Sequence, residues 1–162
     1  MKRILGDEMT EQFDYYIFID YSESLIGYDI LERDKLNGLL PKLSRFRHYK
    51  NSKKRKLYIK KISETIQREN IKDYFFKIKI KNKNNSLEIY SDVLEFLKKH
   101  DSCLVFISVD DNQFRNFQKL VKIVNVKGTK IIKESELKQG SVEYKISLVL
   151  DNLLNIERRN KK

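Results

Sequence analysis

The apolar positions of this chain fall into short β-type runs separated by stretches with helical spacing. Residues 15–19 form a compact aromatic and β-branched run, which predicts a buried strand. Residues 25–31 predict a second strand, antiparallel to the first across a short turn. Residues 74–81 alternate between apolar and charged positions, as a strand with one charged face does. Residues 103–109 predict a central strand covered on both faces, and residues 129–132 predict a short strand.

Helical spacing occupies most of the remaining sequence. Two apolar faces lie between residues 35 and 70, the first broken by Pro41 and the second marked by Leu57, Ile59, Ile62 and Ile66. Further helices are predicted over residues 87–99, over residues 114–124 and after Gly140-Ser141. This order of strands and helices predicts an α/β fold, with a mixed sheet flanked by helices.

One domain accounts for the whole pattern. Residues 1–13 are polar and are predicted to form a flexible N-terminal lead-in, residues 14–157 the single α/β domain, and residues 158–162 a basic, frayed tail. No internal repeat, low-complexity segment or Pro/Gly-rich linker divides the chain. Its 162 residues are enough to enclose a core of ordinary size.

Neither a membrane nor an oxidising compartment is indicated. No apolar run reaches the roughly 18 residues of a membrane span, and residues 1–11 lack the apolar stretch of a signal peptide. The single cysteine, Cys103, lies within an apolar run, where a buried thiol acts as a small hydrophobic residue. We therefore expect a cytoplasmic protein with no membrane contact, and the sequence leaves its oligomeric state open.

The charge balance narrows the choice of partner. Lys and Arg total 34 against 23 Asp and Glu, which gives a formal net charge of +11. An excess of this size favours a polyanionic partner, and nucleic acid, DNA or RNA, is the usual one. The alternative is a genome-wide habit of lysine-rich surfaces, but that habit normally raises Glu along with Lys.

The positive charge is concentrated in residues 42–61, which we call the basic stretch. It contains ten Lys or Arg residues and no acid. The cations predicted to contact phosphates are Arg45, Arg47, Lys50, Lys53, Lys54, Arg55 and Lys56. The rings of Phe46, Tyr49 and Tyr58 could stack on unpaired bases, and Tyr49 is included among the predicted contacts; alternatively, these rings turn inward to the core.

Three acids are candidates for chemistry. Asp20 follows the first predicted strand and Asp110 follows the predicted central strand. If these strands are parallel neighbours, the two carboxylates come close together, and a divalent cation is the usual agent that neutralises such a pair. Asp151 interrupts the apolar face of the last helix, where burial is costly unless the carboxylate is paired or metal-bound. The alternatives are a turn former or helix N-cap for Asp20 and Asp110, and a solvent-facing position for Asp151.

A family resemblance supports the first interpretation. Asp20-Tyr21-Ser22-Glu23-Ser24 resembles the Asp-Glu-Ser-Gly end of the first strand in a broad family of uncharacterised RNase H-like proteins. Asp110 and Leu148-Val149-Leu150-Asp151 resemble the later acidic positions of that family, the last of which usually reads Gln-Leu-Ala-Asp. The match spans roughly residues 14–157 and departs from the family at Ser24, at the inserted Tyr21 and before Asp151.

The resemblance implies an RNase H-like fold and metal-assisted hydrolysis of phosphodiester bonds. Asp20, Asp110 and Asp151 would be catalytic and would hold two Mg²⁺ or Mn²⁺ ions about 3.5–4 Å apart. Glu23 or Asp111 would supply a further ligand, since oxygen ligands suit these hard cations. The chain has no Cys/His set for zinc, no support for a Ser or Cys nucleophile with a histidine base, and no Gly-rich phosphate loop.

Three functions therefore remain open at this point. The first is a divalent-metal-dependent nuclease of RNase H-like type. The second is a non-catalytic DNA- or RNA-binding module, in which the acids serve only as caps and turns. The third is an interaction protein whose charge reflects the habit of its genome. Convergence of Asp20, Asp110 and Asp151 on one cleft would favour the first.

Overall fold

A computed structural model describes residues 2–5, 8–11, 13–124 and 128–160, the first two ranges as backbone only. Its strands are β1 (Lys2–Leu5), β2 (Glu8–Glu11), β3 (Tyr15–Ser22), β4 (Leu25–Glu32), β5 (Lys77–Asn82), β6 (Cys103–Ile107) and β7 (Thr129–Lys133). Its α-helices are α1 (Leu36–Leu39), α2 (Arg55–Arg68), α3 (Ser86–Lys99), α4 (Asp111–Ile123) and α5 (Val142–Asn160). Short 3₁₀ turns join several of these elements.

Five of the strands form one mixed sheet in the order β5-β4-β3-β6-β7. The pairs β3–β4 and β4–β5 are antiparallel, and a short turn joins β3 to β4. The pairs β3–β6 and β6–β7 are parallel, and α3 and α4 lie in the crossovers that parallel pairing requires. The predicted fold class, an α/β fold with a mixed sheet flanked by helices, is confirmed.

The sheet has two covered faces, because successive side chains of a strand point in opposite directions. On β3, Tyr16 and Phe18 pack into the cluster that contains the apolar residues of α2 and α5. Ile17 and Ile19 pack into a second cluster with the apolar residues of α3 and α4. We call these the α5 face and the α3–α4 face. By the same alternation, Asp20 belongs to the α5 face.

Helix α5 is buried over an unusually long part of its length. All ten residues from 146 to 155 are buried, and four of them are the polar Ser147, Asp151, Asn152 and Asn155. Its approach to the sheet depends on Gly27, where an ideal Cβ would lie 3.3 Å from the Leu150 side chain and 3.0 Å from a backbone oxygen of β5. Although α5 is the longest helix described, none of the helices in the described residues has the length and apolar character needed to cross a membrane.

Element boundaries differ from the sequence predictions in several places. The strand predicted over residues 74–81 begins at Lys77, because residues 71–74 form a 3₁₀ turn. The predicted central strand ends at Ile107, two residues early. Within the predicted lead-in, β1 and β2 form an antiparallel hairpin. Helix α5 continues through Asn160 into the predicted tail, whose last two residues lie outside the described part of the chain.

Candidate active site

Asp20 lies near the end of β3, on the α5 face, and only 6% of it is exposed. Its Oδ1 accepts a hydrogen bond of 2.8 Å from the backbone N–H of Tyr21. Burial raises the pKa of Asp20 well above its usual value, and the negative charges of Asp151 and Glu134 raise it further. Asp20 thus lies within electrostatic reach of Asp151 and Glu134.

The pairing register of β3 and β6 determines which residue after the end of β6 lies next to Asp20. Ile19 pairs with Ile107, and the N–H of Ser108 donates to the Ile19 carbonyl over 3.0 Å. Ser108 therefore lies beside Asp20, where its hydroxyl favours the ionised carboxylate and so lowers the pKa of Asp20. The predicted partner, Asp110, is two residues further along and is not brought to this position.

Asp110 instead caps α4. Its Oδ1 accepts a hydrogen bond from the Gln113 N–H over 2.8 Å, while the Gln113 side chain accepts from the Asp110 N–H over 3.2 Å. This reciprocal pair is a capping box, the N-cap alternative considered for Asp110. Asp110 is exposed; burial is the main cause of the raised pKa values of Tyr21 and Tyr90, and the charge of Asp110 adds to them.

Asp151 lies on α5 and is 7% exposed. Its Oδ2 accepts a hydrogen bond of 2.8 Å from the Tyr49 N–H, and its Oδ1 lies 3.4 Å from Nε2 of His48. Nδ1 of His48 accepts from the Lys50 N–H over 3.3 Å, so the ring proton sits on Nε2, toward Asp151. Burial raises the pKa of Asp151, and His48, the Tyr49 N–H and Lys50 partly offset this effect.

Glu134 is a site residue that the sequence analysis missed. It follows β7 directly, and burial raises its pKa. The nearby His48 opposes this effect, and the negative charge of Asp151 adds to it. The signal for Glu134 is the one that identifies Asp20, an acid directly after an apolar strand, but the apolar part of β7 is only Ile131-Ile132.

Asp29 was missed as well and lies deeper. It is 0% exposed, and neither of its carboxylate oxygens has the geometry of a full hydrogen bond with a described residue, although the backbone N–H of Phe18 lies near enough to lower its pKa. Asp29 pairs with Phe18 across the β3–β4 ladder, which places it diagonally next to Asp20 on the α5 face. Burial raises its pKa well above the usual value, and the charge of Asp20 adds to the rise. We call Asp20, Asp29, Glu134 and Asp151 the acidic cluster.

The two further predicted metal ligands lie elsewhere. Glu23, in the tight turn after β3, is exposed and forms an ion pair with Arg158 at 3.5 Å. Asp111 is exposed at the start of α4 and forms an ion pair with Lys133. Both carboxylates are thus paired with basic side chains at the surface, and the structure does not bring them into the acidic cluster.

The basic stretch adjoins the acidic cluster through Asp151. Its seven predicted phosphate contacts, Arg45, Arg47, Lys50, Lys53, Lys54, Arg55 and Lys56, are all exposed. The rings of Phe46, Tyr49 and Tyr58 are buried, which is the second of the two alternatives considered for them. The guanidinium groups of Arg55 and Arg158 lie over the Tyr49 ring, 5.5 and 5.6 Å from its centroid. The Tyr49 hydroxyl accepts a hydrogen bond from Arg159.

The donor set of the cluster suits a hard cation that is held loosely. Among the described residues, no three His, Cys, Asp or Glu side chains are placed to hold one metal ion together. Mg²⁺ commonly binds through one or two carboxylates and completes its shell with waters and substrate phosphates. Burial is the main cause of the raised pKa of Asp20, and the repulsion from Asp151 and Glu134 that adds to it is one that a bound cation would relieve. The described acids therefore do not form a closed cage, and one or two of them would have to hold such a cation together with waters.

Comparison with known proteins adds little to this picture. No protein-family model matches the chain, and no curated protein matches it significantly. Among solved structures, the chain is similar to a chain in the structure of the PCNA:RNase HII complex from Archaeoglobus fulgidus. The TM-score is 0.49 at 11% identity, covering 90% of this chain and 72% of the other. At that level the likeness carries no conclusion about activity.

Proposed function

We propose that this chain binds nucleic acid through the basic stretch and hydrolyses phosphodiester bonds at the acidic cluster, with Mg²⁺ or Mn²⁺ as cofactor. The observation that carries the proposal is the contact between the two regions. The Tyr49 N–H and Nε2 of His48, both from the basic stretch, meet the carboxylate of Asp151. Cations suited to a phosphate backbone thus lie beside the acids that would act on it. The single, buried thiol of Cys103 agrees with a cytoplasmic location.

Binding would be governed by the exposed cations. Seven side chains between Arg45 and Lys56 face solvent, with no acid among them. Each phosphate that they neutralise releases a counterion, so affinity falls steeply as salt increases. The sequence of the nucleic acid is not read by such contacts, which position the backbone.

The residues of the acidic cluster and their neighbours would have different roles in the reaction. Asp20 and Asp151 would hold the divalent cation, which when bound activates a water and stabilises the leaving oxygen. His48 keeps its Nε2 proton toward Asp151 and orients that carboxylate, while Ser108 favours the ionised form of Asp20. Glu134, whose pKa burial raises, would be the acid that gives a proton to the leaving oxygen.

The direct test compares cleavage of labelled single- and double-stranded DNA and RNA in Mg²⁺, in Mn²⁺ and in EDTA. We expect metal-dependent cleavage by the wild type and a loss of at least about 100-fold in Asp20→Asn and Asp151→Asn, the scale of a positioned catalytic group. Asp110→Asn and Asp111→Asn are matched controls, which should stay within a few-fold of the wild type. Mn²⁺ binding followed by electron paramagnetic resonance should weaken in the first pair only. Equal activity in all four variants would contradict the assignment of Asp20 and Asp151.

A non-catalytic nucleic-acid-binding module is the second candidate. It is favoured by the capping role of Asp110 and by the absence, in the described residues, of three metal-binding side chains around one point. Under this alternative the wild type binds oligonucleotides but never cleaves them. In both cases Lys53→Gln with Lys54→Gln should reduce the slope of log affinity against log salt by about 2, one for each lysine that no longer neutralises a phosphate. Binding that does not respond to salt would contradict both candidates.

A further inference from the structure

We infer that a pocket on the α3–α4 face accepts one unpaired nucleobase, which makes single-stranded nucleic acid the substrate class. This inference rests on the proposed function and deepens it. The pocket has a volume of about 630 Å³ and lies between α3 and α4, beyond the ends of β3 and β6. Its size falls within the range of roughly 300–1,000 Å³ that is usual for small-molecule sites.

The position of the pocket links it to the acidic cluster. In α/β sheets, ligands bind in the crevice outside the carboxyl ends of the parallel strands, which is where this pocket lies. Tyr21 lines it and directly follows Asp20, and because strand side chains alternate the two residues point to opposite sides of the sheet. Ser108 lines the pocket and also acts on Asp20. A nucleotide at the end of β3 can therefore place its base in the pocket and its phosphate toward the acids.

Aromatic side chains form one wall. Tyr90 and Phe117 hold their ring centroids 5.6 Å apart, and the hydroxyls of Tyr21 and Tyr90 are hydrogen-bonded to each other. Phe117 is only 2% exposed and packs against Tyr90, so the half-buried rings of Tyr21 and Tyr90 are the ones that offer a stacking surface, at little cost in side-chain entropy. Base–aromatic stacking tolerates any base, because every base has a π-face.

Amide groups form the other wall. Asn116 is exposed at the pocket and makes no hydrogen bond through its side chain with any described residue. The oxygen of the Gln113 side chain is used by the Asp110 N–H, which leaves its NH₂ group available. Amide side chains match the donor and acceptor pattern of base edges, with Asn and Gln typical partners of adenine.

Charge completes the match. Lys83 is exposed at the pocket, with its ammonium group 5.1 Å from the centroid of the Tyr21 ring. A base in the pocket would lie near the Tyr21 ring, so the Lys83 ammonium group is placed to contact the phosphate of the same nucleotide. A base paired in a duplex stays stacked between its neighbours and cannot enter, whereas an unpaired base can be splayed out of a single strand.

The experiment titrates the four nucleoside 5′-monophosphates and ribose 5-phosphate into the full chain by calorimetry, with NMR shifts to locate binding. At least one nucleotide should bind about tenfold or more tightly than ribose 5-phosphate, which has the phosphate but no base. Asn116→Leu should weaken that nucleotide by about tenfold, within the range for one hydrogen-bonded pair of amide and base. Gln118→Leu, the same kind of change on α4 outside the pocket, is the matched control and should bind like the wild type. Tyr90→Phe, which keeps the ring, should retain binding, and Tyr90→Leu should abolish it.

Equal binding of nucleotides and ribose 5-phosphate, or unchanged nucleotide affinity in Asn116→Leu, would overturn the pocket assignment. A parallel titration with a labelled single strand and its duplex separates this failure from failure of the proposed function. Oligonucleotide binding that ignores Asn116 and Tyr90, or that favours the duplex, overturns the inference and leaves the proposed function standing. Mononucleotide binding in the pocket without any oligonucleotide binding supports the pocket and contradicts the proposed function.

Discussion

Helices cover both faces of the central sheet, but the side chains buried beneath them differ in kind. On the α3–α4 face the buried residues are aliphatic, aromatic or the thiol of Cys103. On or next to the α5 face lie all the buried polar residues found in the described part of the chain, namely Asp20, Asp29, Ser52, Ser147, Asp151, Asn152 and Asn155. One sheet thus separates a purely apolar layer from a layer in which buried polar groups are embedded among apolar ones.

The difference has an energetic meaning. Buried polar groups cost free energy unless they are hydrogen-bonded, and some on the α5 face are bonded locally. The Ser147 hydroxyl donates to the Tyr144 carbonyl over 2.6 Å, and the Asn155 amide donates to the Asp151 carbonyl over 2.8 Å. Asp29 has no such partner among the described residues. We conclude that apolar packing stabilises both faces, and that the α5 face gives up part of this stability to keep charged groups in place.

The largest effect should come from the apolar layer. Ile17 is 0% exposed on the α3–α4 face, and Ile17→Ala should reduce the free energy of unfolding by about 2–5 kcal/mol. Urea denaturation followed by circular dichroism measures the change. Ser147→Ala on the α5 face is the comparison, with an expected loss of about 1 kcal/mol for its one hydrogen bond. Similar losses in the two variants would remove the distinction between the faces.

The next effect has the opposite sign. Asp29→Asn keeps the shape of the side chain but removes the ionisation that burial opposes, so it should raise the free energy of unfolding near neutral pH by about 1–3 kcal/mol. Because the pKa of Asp29 is raised in the folded state, the folded chain binds more protons than the unfolded chain. Its contribution to stability is therefore complete below the ordinary Asp pKa and is lost as the pH rises through the raised value.

The pH dependence provides the check on this prediction. Wild-type stability should decline as the pH rises above about 4, the ordinary value for Asp, with Asp20 and Glu134 contributing in the same direction. Asp29→Asn should have a shallower decline and should lose its advantage in acid. A variant that is less stable than the wild type at every pH would show that the Asp29 carboxylate is satisfied.

A smaller effect tests the acid that lies apart from the cluster. Asp110→Ala removes the N-cap of α4 and should cost about 0.5–2 kcal/mol of stability. Any cleavage activity of the wild type should persist within a few-fold once the variant is assayed below its melting temperature. Loss of activity with unchanged stability would place Asp110 with Asp20 in the chemistry.

The smallest effects belong to the surface ion pairs. Glu23→Gln and Asp111→Asn each break a pair with an exposed carboxylate, and such pairs contribute about 0–1 kcal/mol. We expect changes in thermal stability close to the error of the measurement, and smaller still at high salt. A strong loss of Mn²⁺ affinity in either variant would return that residue to the cation site.

Much of the fold could be predicted because its strands have a distinctive composition. Runs such as residues 15–19 and 103–107 are apolar without interruption, and strands that are covered on both faces need this composition. The β1–β2 hairpin was not predicted, because short polar strands contain no apolar run. The end of β6 was placed two residues late, because Val109 continues the apolar pattern although pairing with β3 stops at Ile107.

The site was predicted less completely, for related reasons. Asp20 and Asp151 could be identified because each is a charge within or directly after an apolar pattern, and the structure buries both on the α5 face. Asp29 has the same signal inside β4, but an acid within a strand is equally compatible with a solvent-facing position. The position beside Asp20 is occupied by Ser108 and not Asp110, and only strand register reveals this. The order of residue types along the chain does not show that Asp110 lies two residues beyond the position next to Asp20.

The placement of Asp151 on α5 also affects the order in which the molecule matures. All five strands of the sheet are present once Lys133 has been synthesised, but α5 begins only at Val142. Until that helix docks, a chain still emerging from the ribosome has its basic stretch and an open layer of the sheet, but an incomplete set of acids. On the proposed function, such a nascent chain can hold a nucleic acid before it is able to cut one.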